Sequence, residues 1–164
     1  MAATYSFDVV SKVNLQEVKN AVDQTQKEIH QRYDLKGTKS DVSLEAETAL
    51  VAVSDDEYKM KAVLDILQAK LVKRGVSLKA LTYEKMEQAL GGTVRQRIGI
   101  QQGIPAEKAK AIGKSIRDAK MKVQTQIQDD QMRVSSKNKD DLQAAITHLR
   151  AEDFGLDLEF LNYR

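Results

Sequence analysis

The chain has 164 residues, 41% hydrophobic and 30% charged, with one proline, no cysteine and a formal net charge of +2. That length accommodates one large domain or two small ones, and the lack of cysteine excludes disulfides, thiolate nucleophiles and thiolate metal sites. No run approaches the roughly 18 apolar residues of a membrane span, and the opening MAATYSFDVV has neither the basic start nor the apolar stretch of an export signal, so a cytoplasmic protein is expected.

Tyr5–Val10 reads as a strand, with Tyr5, Phe7 and Val9 on one side. Asn14 is placed to cap a helix, with Glu17 in capping-box position. Leu15, Val18, Val22, Ile29 and Tyr33 hold an apolar helical stripe to about Asp34. Val42 and Leu44 mark a second strand and Val51 and Val53 a third, joined across Glu45–Thr48. Ser54-Asp55-Asp56 offers caps for a helix carrying Met60, Val63, Leu64, Leu67 and Leu71 and ending at Gly75. Leu78–Tyr83 reads as a fourth strand, Glu84–Leu90 as one or two helical turns, and Gly91-Gly92 as a hinge.

The order then repeats. Thr93–Gln101 alternates Ile98 and Ile100 against Arg95 and Arg97, and Pro105 sits at a helix start where its missing N–H costs nothing. Ala109, Ile112 and Ile116 line the helix to Ala119. Lys122–Gln128 and Gln131–Ser135 alternate around Asp129-Asp130, a two-residue turn. Ser136–Asn138 can cap a helix with Leu142, Ala145, Ile146 and Leu149 inward, and Leu156–Leu161 is the last strand. Both halves therefore read β-α-β-β-α-β, residues 1–90 and 91–164. This predicts an α+β protein of two tandem ferredoxin-like domains, each an antiparallel sheet with two helices on one face. The short turns between the central strands of each half leave no room for a parallel crossover.

Charge and motif reading point to binding rather than catalysis. Between Arg95 and Lys122, eight basic residues face only Glu107 and Asp118, an excess that could attract phosphates or simply solvate a helix face. Gly113-Lys114-Ser115 imitates the end of a phosphate-binding loop, but position 108 is lysine where the motif needs glycine. His30 and His148 lack the three or four donors of a metal site, and no nucleophile with an adjacent base is visible. No metal, no cofactor and no enzymatic activity are expected. What remains is the uncovered sheet face, where Arg95, Arg97, Lys122, Gln124, Gln126, Arg133 and Ser135 point outward as partners for phosphates and base edges. The third strand of each half contains no aromatic residue, so base stacking of the RNA-recognition type is not expected there.

Three segments, SFDVVSKVNLQEVKNAVDQ (Ser6–Gln24), IGKSIRDAKMKVQTQIQDDQMRVSSKNKDDLQ (Ile112–Gln143) and EFLNYR (Glu159–Arg164), resemble the YajQ family of bacterial nucleotide-binding proteins. The resemblance implies two ferredoxin-like domains that exchange their first strands, Tyr5–Val10 completing the second sheet and Thr93–Gln101 the first. It implies purine-nucleotide binding (GTP, ATP or cyclic di-GMP), with tRNA or a transcription-related protein partner as alternatives, the last as a nucleotide-modulated adaptor. The matching positions implied for binding are Lys114, Lys120, Lys122, Gln124, Gln128 and Arg133, with Arg164 as a phosphate contact. Ser135-Ser136 stands where family members often carry a Thr-Gly or Ser-Gly-like pair, and without that glycine a close backbone approach to a phosphate is disfavoured. Exchange would also place Arg95 and Arg97 on the other sheet.

Overall fold

In the computed structural model, residues 4–46 and 49–164 are described. β1 (Tyr5–Val10) leads into α1 (Leu15–Gln31), whose start is held by Asn14. The Asn14 side-chain Oδ1 accepts from the backbone N–H groups of Gln16 at 3.1 Å and Glu17 at 3.2 Å, satisfying two orphan donors of the first turn. Glu17 does not close a capping box; its carboxylate accepts instead from Asn20 and lies 3.7 Å from Arg74. Val18, Ala21, Val22, Thr25 and Ile29 face the core. The stripe ends there, because Arg32 leaves helical geometry and Tyr33, expected to continue it, is 98% exposed.

β2 (Asp41–Glu45) and β3 (Ala49–Ser54) pair antiparallel; of the connection expected between them, Glu47 and Thr48 lie outside the described residues. Asp56 caps α2 (Glu57–Lys73), accepting from the Lys59 N–H at 2.8 Å. Met60, Val63, Ile66, Leu67 and Leu71 are buried, while Leu64 packs at the margin. The segment expected as a strand from Leu78 makes one 3₁₀ turn first, and β4 spans only Leu81–Tyr83. Glu84–Leu90, expected to be helical, is a correction: Glu87–Gln88 forms β5, paired with Arg95 and Val94 of β6 (Val94–Ile100). Gly91-Gly92 lies in a 3₁₀ turn between β5 and β6.

α3 (Ala106–Asp118) follows, then β7 (Gln124–Gln128), β8 (Gln131–Ser136), α4 (Lys139–Ala151) and β9 (Glu159–Leu161). β7 and β8 turn at Asp129-Asp130, with Asp129 in the left-handed region at φ 55°. The last strand is shorter than expected; Leu156 is buried, but ahead of any strand pairing.

The sheets show the strand exchange directly. One has the order β2-β3-β6-β4, the other β7-β8-β1-β9, and every pairing is antiparallel. Both follow a single plan in which an exchanged strand occupies the position of the first strand between the third and the last. Residues 13–101 form one compact unit, and the chain up to Lys12 joins Gln102–Arg164 in the other.

Each unit has its own core. In residues 13–101, Leu50, Met60, Leu67, Leu71 and Ile98 are fully buried between sheet and helices. In the other unit Phe7, Ile112, Ile116, Met132 and Leu149 fill that place. A side chain of this size contributes about 1.5–3 kcal/mol when buried, so β1 anchors its unit through Phe7 and Val9.

That unit also closes on itself beside Gly103. Its N–H donates to the Ser11 carbonyl at 2.7 Å, and the neighbouring Ile104 N–H donates to the Asp130 carbonyl at 2.7 Å. Gly103 has φ +80°, and a Cβ there would sit 2.5 Å from Asp130 Oδ2, so both conformation and space require glycine.

Candidate functional site

Strand register decides which side chains share the uncovered face of the β7-β8-β1-β9 sheet. Phe7 opposes Val134, Val9 opposes Met132 and Phe160, and these point toward α3 and α4. The alternate positions face away in rows. Gln124 lies beside Ser135 and Ser6, Gln126 beside Arg133 and Asp8, and Gln128 beside Gln131. Three glutamines therefore stand in file along β7, an edge strand, with serines and an ion pair behind them.

The ion pair is built by the exchange. Asp8 on β1 is only 3% exposed, and its carboxylate accepts from Arg133 Nε at 3.0 Å and from Asn162 Nδ2 at 2.8 Å. Burial pushes the Asp8 carboxyl up, but the hydrogen bonds from Arg133 and Asn162 and the charges of Arg133 and Arg164 outweigh it and hold it below its ordinary value. Asn162 reaches Asp8 because the chain bulges there. Asp8 opposes Leu161, yet Ser6 exchanges both backbone hydrogen bonds with Arg164, so three steps on one strand meet two on the other, with Asn162 at φ 58°. Arg133 is thus already committed to a carboxylate, and Arg164 is fixed beside Ser6.

A cleft of about 440 Å³ opens at the β7 end of this sheet. Lys122 and Gln124 line it from the β7 side, Ser135 and Ser136 from β8, and Lys137 and Asp141 from the start of α4. The Ser136 hydroxyl donates to the Lys122 carbonyl at 3.0 Å and accepts from the Asn138 N–H at 3.2 Å, tying the two sides together. Asn138 in turn caps α4 through the Asp140 N–H at 2.8 Å. The arrangement sets two ammonium groups, an amide and three hydroxyls, that of Thr4 among them, around one opening also lined by Met121 and Val123, with one carboxylate on its rim. Lys137 is a lining residue that sequence reading passed over; its signal was its place between the β8 serines and the α4 cap.

The other expected residues are distributed elsewhere. Lys120 is exposed in the turn after α3, at φ 54° and two residues before Lys122. Gln128 is half-buried at the β7 hairpin end. Lys114, inside α3 as the failed phosphate-loop reading required, lines a separate shallow cleft of about 470 Å³ with Ser115, His148 and Glu152. There His148 Nε2 lies 2.8 Å from Ser115 Oγ and 3.2 Å from Glu152 Oε1. Both partners meet the same ring nitrogen, so the acid does not orient the far side of the imidazole as a serine-histidine-acid relay requires. Arg95 and Arg97 belong to the unit of residues 13–101, on the uncovered face of its sheet. Arg95 lies 3.6 Å from Glu45, and Arg97 2.8 Å from Glu84, whose hydrogen bond raises the Arg97 pKa. Among the described residues, no group of three or more His, Asp or Glu is arranged to hold a metal, and no helix is long and apolar enough to cross a membrane.

Comparison with known proteins adds a consistent result. A family model described as "Nucleotide-binding protein YajQ-like" matches residues 5–164. A "Nucleotide-binding protein" of Carboxydothermus hydrogenoformans is 59% identical over 165 residues, covering 100% of both chains. Proteins of the same description from Geotalea daltonii and Desulfitobacterium hafniense are each 56% identical, the first over 97% of this chain and 98% of the relative, the second over 100% of both.

Proposed function

This chain belongs to the YajQ-like family, and on that premise we propose that it is a cytoplasmic, non-enzymatic protein that binds a purine nucleotide in the cleft of Lys122 and Lys137. The observation that carries this reading is the convergence of those two lysines with Gln124, Ser135 and Ser136 on one opening. Ammonium groups are point-charge partners for phosphate oxygens, and the Ser135 hydroxyl adds a neutral donor, that of Ser136 being spent on the Lys122 carbonyl. The Gln124 amide offers a donor and an acceptor to a base edge. Asp141 repels phosphate from its side of the rim and suits a ribose hydroxyl or an exocyclic amine, which orients the ligand. Lys120 adds charge near the mouth, and Arg133, held by Asp8, serves as a fixed neighbour rather than a free phosphate ligand.

Calorimetric titration with GTP, ATP and cyclic di-GMP at moderate salt tests the proposal. Lys122→Ala and Lys137→Ala should each weaken binding about tenfold, the equivalent of one charge-assisted hydrogen bond. Absence of binding at millimolar ligand would sink the nucleotide reading, and unchanged affinity in both variants would remove this cleft from it. Nucleotide recovered unaltered after long incubation with Mg²⁺ is expected of a binding protein.

A second reading, structured RNA such as tRNA held through its phosphates, draws on the exposed Lys120, Lys122, Lys137 and Lys139. It predicts affinity that falls steeply with log salt as counterions are released, and a flat dependence would reject it.

A further inference from the structure

On the opposite flank of α4 from the Lys122 cleft lies a second opening, of about 360 Å³. Its floor is apolar, made by Leu142 and Ile146 of α4, and its walls carry Tyr5 and Tyr163. Tyr163 packs one side against the fully buried Phe7, with ring centroids 6.2 Å apart and planes tilted by 38°, yet remains 60% exposed. A ring anchored on one side and wet on the other presents a ready stacking surface. The Lys139 ammonium sits 5.0 Å from the centroid of the Tyr5 ring, which holds the cation at the opening instead of letting it extend into solvent. Gln143 lines the same opening with an amide that both donates and accepts.

These features define a ligand chemistry. An apolar floor and the exposed Tyr163 face favour a flat aromatic ring over a flexible chain, since stacking is open to any π-surface. Two cationic residues on the lining, Lys139 and Arg164, favour an anionic substituent on that ring. The volume lies within the range of small-molecule sites. The geometry points to a second binding site, bounded by Tyr5, Lys139, Gln143 and Tyr163, for a planar aromatic anion. A nucleoside monophosphate and an aryl carboxylate share that chemistry. The site uses none of the lysines assigned to the nucleotide cleft, so it stands or falls independently of that assignment.

Amide chemical-shift mapping of the full chain distinguishes the sources. Three probes are titrated to millimolar concentration: GMP, 4-hydroxybenzoate and, as a ring-free anion, ribose 5-phosphate. Saturable shifts centred on Tyr5, Lys139, Gln143 and Ile146 with GMP assign a nucleotide, and the same shifts with 4-hydroxybenzoate assign an aryl acid; ribose 5-phosphate should leave them unmoved. Lys139→Ala should weaken the ring-bearing probe about fivefold or more, while Lys139→Arg retains binding. The inference is overturned if neither ring-bearing probe moves these amides, if ribose 5-phosphate moves them equally, or if Lys139→Ala leaves affinity intact. Because the shifts are read first on the unaltered protein, a variant that folds poorly does not obscure the result.

Discussion

Replacing Asp8 with asparagine isolates the contribution of charge to the exchanged strand. The carboxylate makes two short contacts, 3.0 Å from Arg133 Nε and 2.8 Å from Asn162 Nδ2, and is almost wholly buried. Asparagine preserves shape and one carbonyl acceptor. A hydrogen bond involving a charged group contributes about 1.5–3 kcal/mol and a neutral one about 1, so the Arg133 contact, which keeps the carbonyl, loses roughly 1 kcal/mol, and the Asn162 contact loses as much once Asn162 turns its amide to offer an oxygen to the new NH2 group. Burying an amide costs less than burying a carboxylate, which offsets part of that loss. The Arg133 side chain, 35% exposed, regains water, so no fully buried orphan charge remains. A net destabilisation of about 1–2 kcal/mol at neutral pH follows, measurable by urea denaturation. Its pH dependence has a fixed sign. The folded carboxyl titrates below the value of 3.8 taken for the unfolded chain, so its stabilisation is complete above that value and disappears as pH falls through the folded one. The gap between wild type and Asp8→Asn should therefore narrow below about pH 4. A double-mutant cycle with Arg133→Met should return about 1 kcal/mol of coupling. A gap that stays constant into acid, or a coupling indistinguishable from zero, would refute the electrostatic reasoning.

Three further outcomes follow from the packing and the backbone. Leu67→Ala, at a fully buried α2 position, should cost about 2–5 kcal/mol in denaturant unfolding, the range for a core cavity. Gly103→Ala should cost about 1–3 kcal/mol from its left-handed backbone, with an added clash against the Asp130 side chain, its Cβ included; Asp130→Gly in the same chain should return only the steric part, and full recovery would contradict the φ argument. Asn14→Ala should lower stability by about 0.5–2 kcal/mol through the lost cap, with faster amide exchange confined to Gln16 and Glu17.

Much of this fold was legible because period and punctuation agree in most elements. The alternation of Phe7 and Val9, the stripe Leu142, Ala145, Ile146 and Leu149, and the acids at Asp56 and Asp129-Asp130 all sit where local physics places them. Glu84–Leu90 misled because Glu, Lys, Met, Gln, Ala and Leu favour helices, whereas pairing with β6 draws Glu87–Gln88 into the sheet. Tyr33 misled because a repeat of apolar residues does not report where a helix ends. The sheet in which β1 sits was accessible only through the family resemblance, since alternation is blind to partners. The site was less legible for the same reason. Charge along the chain grouped Lys114, Arg95 and Arg97 with Lys122, and strand alternation added Arg133. Folding pairs three of them with Asp8, Glu45 and Glu84 and puts Lys114 on a helix beside His148. Those carboxylates lie too far away in sequence to be counted as neighbours.

The hydrogen bond between Gly103 N–H and the Ser11 carbonyl has a topological meaning. The chain leaves one unit just after Ser11 and re-enters it just before Gly103, so the 89 residues from 13 to 101 are a guest spliced into a host at a single doorway. As an unstructured loop, a guest of that length would charge the host about 4 kcal/mol of closure entropy before β1 could meet β8. Once folded, with its two ends held at one doorway, it acts as a short tether. Connectivity thus favours an order in which β1 finds its sheet after the guest has folded. Weakening the guest's own core, as Leu67→Ala does, should therefore also slow closure of the host.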